Sequence, residues 1–325
     1  MFKLGLVMDP ITSINFNKDS TLAMLQEAQK RCYEIYYMEI SDLYLHNDEG
    51  RARTRILKIN NSYPFFTFSQ EQDIQLSKLN VILMRKNPPL DSEFIYATYI
   101  LERAEKKGTL IINKPQSLRD YNEKLFTTWF PDLIPETLVT QNSDQIRIFW
   151  KKHQNIILKP LDRMGGASVF YIKPKDPNIS VIIETITNYN TRYCIAQAYL
   201  PAIKDGDKRV IIVDGKSVPY CLARIPKPGE TRGNLSAGAY SEVRHLSSSD
   251  YTIVEKIIPT LNKNGLIFVG LDIIGDKLTE INITSPTGIR EIEAAFPISI
   301  TDMLMNSIEK KILNASSITK YIPTE

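Results

Sequence analysis

The chain has 325 residues, 43% hydrophobic and 24% charged, with a formal net charge of +3. Those values describe a soluble globular protein of two or three domains and give no electrostatic footprint for nucleic acid. No apolar stretch approaches membrane-spanning length, and Cys32, Cys194 and Cys221 fit neither a disulfide framework nor a zinc motif. Reduced thiols in a cytoplasmic protein are the expectation.

The first apolar run, KLGLVM, predicts a buried strand; Asp9-Pro10 cuts it off too soon for a signal peptide. STLAMLQEAQKRC has helical apolar spacing with Asp19 or Ser20 as cap, YEIYYMEI and VILMRK predict strands, and DSEFIYATYILERAEKKG predicts a helix from Asp91 to Gly108. TLIIN is a further strand. This order predicts a parallel sheet with helices on its faces, whose ligands bind at the carboxyl ends of strands, near Asp9 and Arg85.

PQSLRDYNEKLFTTWF predicts a helix carrying Lys124. Strand signals in ETLVT, NIILKP, ASVFYIK and RYCIAQAYLP then surround helical runs in SDQIRIFWKKH and NISVIIETITNYN. Within ILKPLDRMGGASVF a strand ends at Lys159-Pro160, and a short loop carries Arg163 and Gly165-Gly166 without the usual phosphate-loop signatures. From residue 201 hairpins dominate, turning at Asp214-Gly215 and near Gly275-Asp276. Between them, the polar, glycine-rich segment 226–244 reads as an irregular lid. PISITDMLMNSIEKKIL closes the chain as a helix.

The second hairpin, GLDIIGDKLTEINITSP, carries the clearest chemistry. Side chains alternate along a strand, so Glu280 and Asn282 share a face, and Asp272 lies opposite Glu280 across the turn. Three hard oxygen donors on one patch suit magnesium, although the same spacing also describes a solvated polar face. Lys124 and Lys159 are phosphate-binding candidates, and Arg209, Arg224, Arg232 and Arg290 supply forks for phosphate or carboxylate; any one of them alone reads as a surface charge. His46, His153 and His245 lie in polar surroundings, and no Ser-His-Asp or Cys-His set emerges.

The combination of LGLVMDP, VILMRKNPP, the run from FIYATYILERAEKKG to NEKLF, ILKPLDRMGGASVF, YLPAIKDGDKRV, ETRGNLSAG and GLDIIGDKLTEINITSPTGIREIE resembles the bacterial glutathione synthetase family over nearly the whole chain. That resemblance implies an ATP-grasp fold combining α/β and α+β parts. Its divisions would be an N-terminal parallel-sheet domain at 1–122, a central lid subdomain at 123–200, a C-terminal antiparallel subdomain at 201–316 and a tail at 317–325. It also implies a homotetramer that needs Mg2+, or Mn2+, and joins γ-glutamylcysteine and glycine at the expense of ATP through an acyl phosphate.

By position, the resemblance assigns Lys124, Lys159, Gly165, Gly166, Gln197, Ala198, Tyr199, Leu200 and Asp207 to ATP, and Asp272, Glu280 and Asn282 to the metal. Arg209 and Arg224 take catalytic roles, and Arg85, Arg232, Ser285, Thr287 and Arg290 contact the other substrates. Two departures stand out: Arg163 where the family usually has glycine, and Ala239-Tyr240-Ser241 in place of a glycine-rich run. The nearest other readings are a different ATP-grasp carboxylate–amine ligase and a nucleotide-binding homologue without catalysis. The intact lysines, arginines and metal set argue against the second.

Overall fold

The computed structural model describes residues 1–234 and 238–319. Its N-terminal sheet is built around β1 (Lys3–Val7), which pairs in parallel with β2 (Glu34–Met38). α1 (Ser20–Lys30) joins them, and its start is fixed by the Asp19 carboxylate accepting from the Leu22 amide. Four antiparallel strands extend the sheet beyond β2: β3 (Leu43–His46), β4 (Glu49–Ile59), β5 (Phe66–Phe68) and β6 (Gln72–Gln75). On the other side, β7 (Val81–Met84) lies parallel to β1, and β8 (Leu110–Ile112) lies parallel to β7. The connection between those two is α2 (Ser92–Lys106), capped by Asp91 as its sequence predicts. The predicted parallel sheet is therefore real but mixed, because residues 43–75 add an antiparallel flank.

The run 115–130 is not one helix. α3 (Pro115–Asp120) stops, and a separate 3-10 turn begins at Leu125. Asn122 explains the break: its side-chain oxygen accepts from the Lys124 and Leu125 amides, and its amide donates to the Leu161 carbonyl.

A four-stranded sheet follows, formed by β9 (Thr137–Thr140), β10 (Ile156–Pro160), β11 (Phe170–Ile172) and β12 (Cys194–Ala198) in the order β11-β10-β12-β9. α4 (Ser143–His153) and α5 (Ile179–Thr187) cover one face with Ile146, Phe149, Ile183 and Ile186.

The last sheet contains β13 (Asp207–Val213), β14 (Lys216–Ile225), β15 (Tyr240–His245), β16 (Phe268–Ile274) and β17 (Lys277–Asn282), all antiparallel, in the order β15-β14-β13-β16-β17. α6 (Ser248–Lys263) links β15 to β16, and α7 (Ile289–Ala295) and α8 (Ile300–Thr319) close the described chain. Residues 240–244, within the segment expected to be irregular, belong to β15, which pairs with β14; residues 235–237 and 320–325 lie outside the described residues. No helix among the described residues is long and apolar enough to cross a membrane.

The apolar core divides unevenly. Two large clusters each mix residues of the N-terminal sheet with residues of the C-terminal sheet, whereas the third is drawn from residues 146–196 alone.

Candidate functional site

Two cavities meet above the C-terminal sheet. The first lies between the central and C-terminal sheets and is lined by Lys124, Lys159, Gly165, Gly166, Gln197, Ala198, Tyr199, Leu200, Asp207, Arg232, Asp272 and Glu280. Every residue the sequence assigns to ATP therefore faces one space. The second is lined by Arg209, Arg224, Asn282, Ser285 and Thr287 together with Asn87, Glu123 and Thr284. Lys124, Gly165, Asp272 and Glu280 border both.

The hairpin geometry is as its alternation predicts: Asp272 pairs with Glu280, and Asn282 pairs with Gly270. Arg209 grips Asp272 with two parallel bonds, Nε to Oδ1 at 2.6 Å and Nη2 to Oδ2 at 3.1 Å. Arg224 Nη2 bridges Asp207 Oδ2 at 2.5 Å and Asp272 Oδ2 at 3.0 Å. Burial alone would raise the Asp272 carboxyl, but the two arginines outweigh it and hold it far below the usual range. Asp207 has only the shared arginine; burial, with Asp272 and Glu280 nearby, pushes it up to about 6.

Two buried atoms of this cluster have no protein partner among the described residues: Arg224 Nε and Asp207 Oδ1. Asp207 lines the first cavity and Arg224 the second, so each leaves a polar atom open toward a ligand.

Lys124 is buried, with Nζ 2.6 Å from the Arg163 carbonyl and 3.5 Å from Glu280 Oε1. Burial lowers the pKa of Lys159, which sits on the same cavity wall with the field of Glu280 opposing. The flap that follows Lys159 turns through Gly165 and Gly166 at φ of 65° and 77°, conformations that exclude most side chains. A Cβ on Gly166 would also strike Asn234 of the facing segment. Arg163 has no positive φ, so its departure from glycine places no strain on the loop; its side chain is exposed while its carbonyl meets Lys124. Tyr240 and Ser241 likewise stand in β15, where side chains are ordinary.

Two expected substrate contacts, Arg85 and Arg290, line neither cavity, while a third, Arg232, lines the first. Arg85 is buried behind the second cavity, donating to Thr21 Oγ1 and the Pro286 carbonyl, so it supports the 285–287 turn. Arg290 donates to the Asp19 carbonyl and Gln26 Oε1, tying α7 to α1. Arg232 stands on the flap side, paired with Glu230 at 2.6 Å and donating to the Gly166 carbonyl. Ser285 does line the second cavity and donates to Asn87 Oδ1 at 2.6 Å.

Sequence reading missed Glu123 and Asn87. Glu123 Oε1 accepts from the Ile283 amide, the Thr284 amide and the Thr284 hydroxyl, which fixes the strand end beside Asn282. Burial raises its carboxyl, with the Thr284 bonds opposing. A carboxylate directly beside Lys124 was the available signal.

No group of three or more His, Cys, Asp or Glu suited to a metal occurs among the described residues. The hairpin set is different in kind: two carboxylates and an amide. Asn282 Nδ2 donates to the Gly270 carbonyl at 3.2 Å, leaving Oδ1 as its open atom. Glu280, Asn282 and Asp272 all line the second cavity, and an oxygen-only set of this type fits a hard divalent cation.

The prokaryotic glutathione synthetase N-terminal domain model matches residues 2–119, and the ATP-grasp domain model of the same family matches residues 123–297. The chain belongs to this family. Glutathione synthetase of Escherichia coli (strain K12) is 67% identical over 313 residues, covering 96% of this chain and 99% of that one. That of Photorhabdus laumondii is 66% identical over 314 residues, with the same coverage of 96% and 99%. Among solved structures, D-cycloserine synthetase DcsG aligns at TM-score 0.64 and 12% identity over 98% of this chain and 99% of that chain. The D-alanyl-alanine synthetase A of Vibrio cholerae aligns at 0.63 and 11%, over 96% and 99%. At such identities the likeness speaks for the fold, which is ATP-grasp. Family membership over nearly the full length makes the chain an ATP-dependent ligase of the glutathione synthetase type.

Proposed function

We propose that this chain joins γ-glutamylcysteine and glycine into glutathione, converting ATP to ADP and phosphate. The observation that carries the reading is the meeting of the two cavities at Lys124, Asp272 and Glu280. A nucleotide in the first would present its γ-phosphate to a carboxylate in the second. The cysteinyl carboxylate attacks the γ-phosphorus, ADP leaves, and an acyl phosphate forms. The glycine nitrogen then attacks the acyl carbon, the carbon–oxygen bond breaks with its electron pair on phosphate, and the nitrogen gives up its proton.

The residues serve mainly by position and charge. Lys124 and Lys159 hold phosphate oxygens, the open Asp207 Oδ1 accepts from a ribose hydroxyl, and the open Arg224 Nε donates to the transferring group. Arg209 keeps Asp272 ionised and oriented. Asp272, Glu280 and Asn282 would hold Mg2+, or Mn2+, which neutralises phosphate charge when bound. Gly165, Gly166 and the facing segment at 232–234 cover the phosphates and exclude water.

The same reading carries the division at residues 122 and 200, supported by the self-contained core of 146–196, and places the enzyme in the cytoplasm as a homotetramer. ADP release tests the reaction. It should require γ-glutamylcysteine and glycine together, with hydroxylamine replacing glycine to give a hydroxamate. Release that ignores γ-glutamylcysteine, or needs a different pair, would overturn it.

A further inference from the structure

Gln197 lies one residue before the end of β12, at the start of the expected adenine hinge, and its side chain, 3% exposed, lines the nucleotide cavity. An amide presents either an acceptor or a donor, and which end faces the cavity decides the base it accepts. Thr137 settles that choice. It is the cross-strand partner of Gln197 between β9 and β12, so the two side chains share a face of the sheet. The Thr137 hydroxyl donates to the Pro135 carbonyl at 2.7 Å, and a hydroxyl has one proton to give. Its oxygen is thereby left to accept, and Gln197 Nε2 donates to it at 3.2 Å. A flipped amide would set its oxygen against an oxygen with no free proton. The chain Pro135, Thr137, Gln197 therefore fixes Oε1 as the open end, and no donor among the described residues occupies it.

The backbone nearby reinforces the pattern. The Ala198 amide is spent on the Glu136 carbonyl, and the Tyr199 amide on the Asn155 carbonyl. Neither of these two amides is left to donate to a base beside Gln197.

We propose that Thr137 is a specificity-determining positioning residue: it locks Gln197 so that the site takes a purine with an amine at C6 and refuses one with a carbonyl there. Adenine brings the donor that Oε1 requires, whereas hypoxanthine and guanine bring an oxygen. The inference rests on the ATP-dependent reading above.

The test compares ATP with ITP, which replaces the C6 amine by a carbonyl, in the full enzyme with both other substrates saturating. Thr137→Val keeps the shape and removes the hydroxyl, freeing the amide to turn. The ratio of kcat/KM for ATP over ITP should fall about tenfold, the worth of one hydrogen bond, and the fall should lie in KM with kcat little changed. Thr137→Ser keeps the hydroxyl and should keep the ratio. Because both nucleotides are measured on one protein, loss of folded enzyme cancels. If Thr137→Val fails to fold, Gln197→Leu should show the same fall. An unchanged ratio, or an equal fall in Thr137→Ser, overturns the proposal. Wild-type enzyme inactive with ATP would instead overturn the ligase reading.

Discussion

The central sheet and the two sheets flanking it are held by different means. The N-terminal and C-terminal sheets are far apart in sequence yet share two hydrophobic clusters, and a single buried residue cross-ties them. Asn113 donates from Nδ2 to the carbonyls of Phe268 and Ile283 at 2.8 and 2.7 Å. Its Oδ1 accepts from the amides of Ile267 and Phe268 at 2.7 and 3.0 Å. The central sheet has neither device. Its apolar residues close on themselves, and it meets the rest through a cavity, a flap and the Lys124 contact. The difference separates a floor that carries the charged hairpin from a smaller sheet, the cover, whose apolar core is its own.

The sharpest way to break this comparison is to weaken each part in turn. Asn113→Ala strands two carbonyls and two amides in the shared core and should cost about 4 kcal/mol, lowering the main unfolding transition. Ile183→Ala empties space in the central core and should cost about 2–5 kcal/mol, but locally. Hydrogen exchange should then rise across 137–198 while the flanking sheets keep their protection, and KM for ATP should increase. Equal loss of protection everywhere in Ile183→Ala would mean the three sheets unfold as one.

The same division governed what could be read from sequence. The floor's charged hairpin was legible because a strand's period of two places Glu280 and Asn282 together, and the turn near Gly275 sets Asp272 opposite Glu280. The flap was legible from Gly165-Gly166. β4 was not: its inward positions include Gly50, Ala52 and Thr54, residues too small or polar to register as an apolar stripe. The interruption at Asn122 was hidden because a side-chain bond to the backbone leaves no mark in hydrophobic spacing. Arg85 and Arg290 carry the charge expected of substrate contacts, but their direction depends on partners 201 and 271 residues away. No local pattern reports that.

The floor's charges give a prediction with a definite sign. Asp207 has its carboxyl raised from 3.8 to about 6, chiefly by burial. A folded-state value above the unfolded one means the stability it contributes is fully present below pH 4 and is lost as pH rises through 6. Relative to Asp207→Asn, the wild-type protein should lose up to about 3 kcal/mol between pH 4 and 7, most of it before the upper end. Denaturant unfolding of both proteins across that range reads it directly. A difference that grows with pH would show that Arg224 belongs mainly to Asp207 rather than being shared with Asp272.

The smallest expected effect concerns the cover. Arg163, which the resemblance places where the family usually has glycine, lines the first cavity, and its carbonyl receives Lys124 Nζ at 2.6 Å. Its guanidinium forms no ion pair among the described residues, and its backbone lies outside the left-handed region that favours glycine. Arg163→Gly should therefore leave the carbonyl in place and change KM for ATP by less than about threefold, the cost being only the added freedom of a more flexible loop. A larger rise in KM with kcat unchanged would assign the guanidinium itself to ATP. A fall in kcat alone would place the effect in flap closure, and with it the motion of the central sheet over the floor.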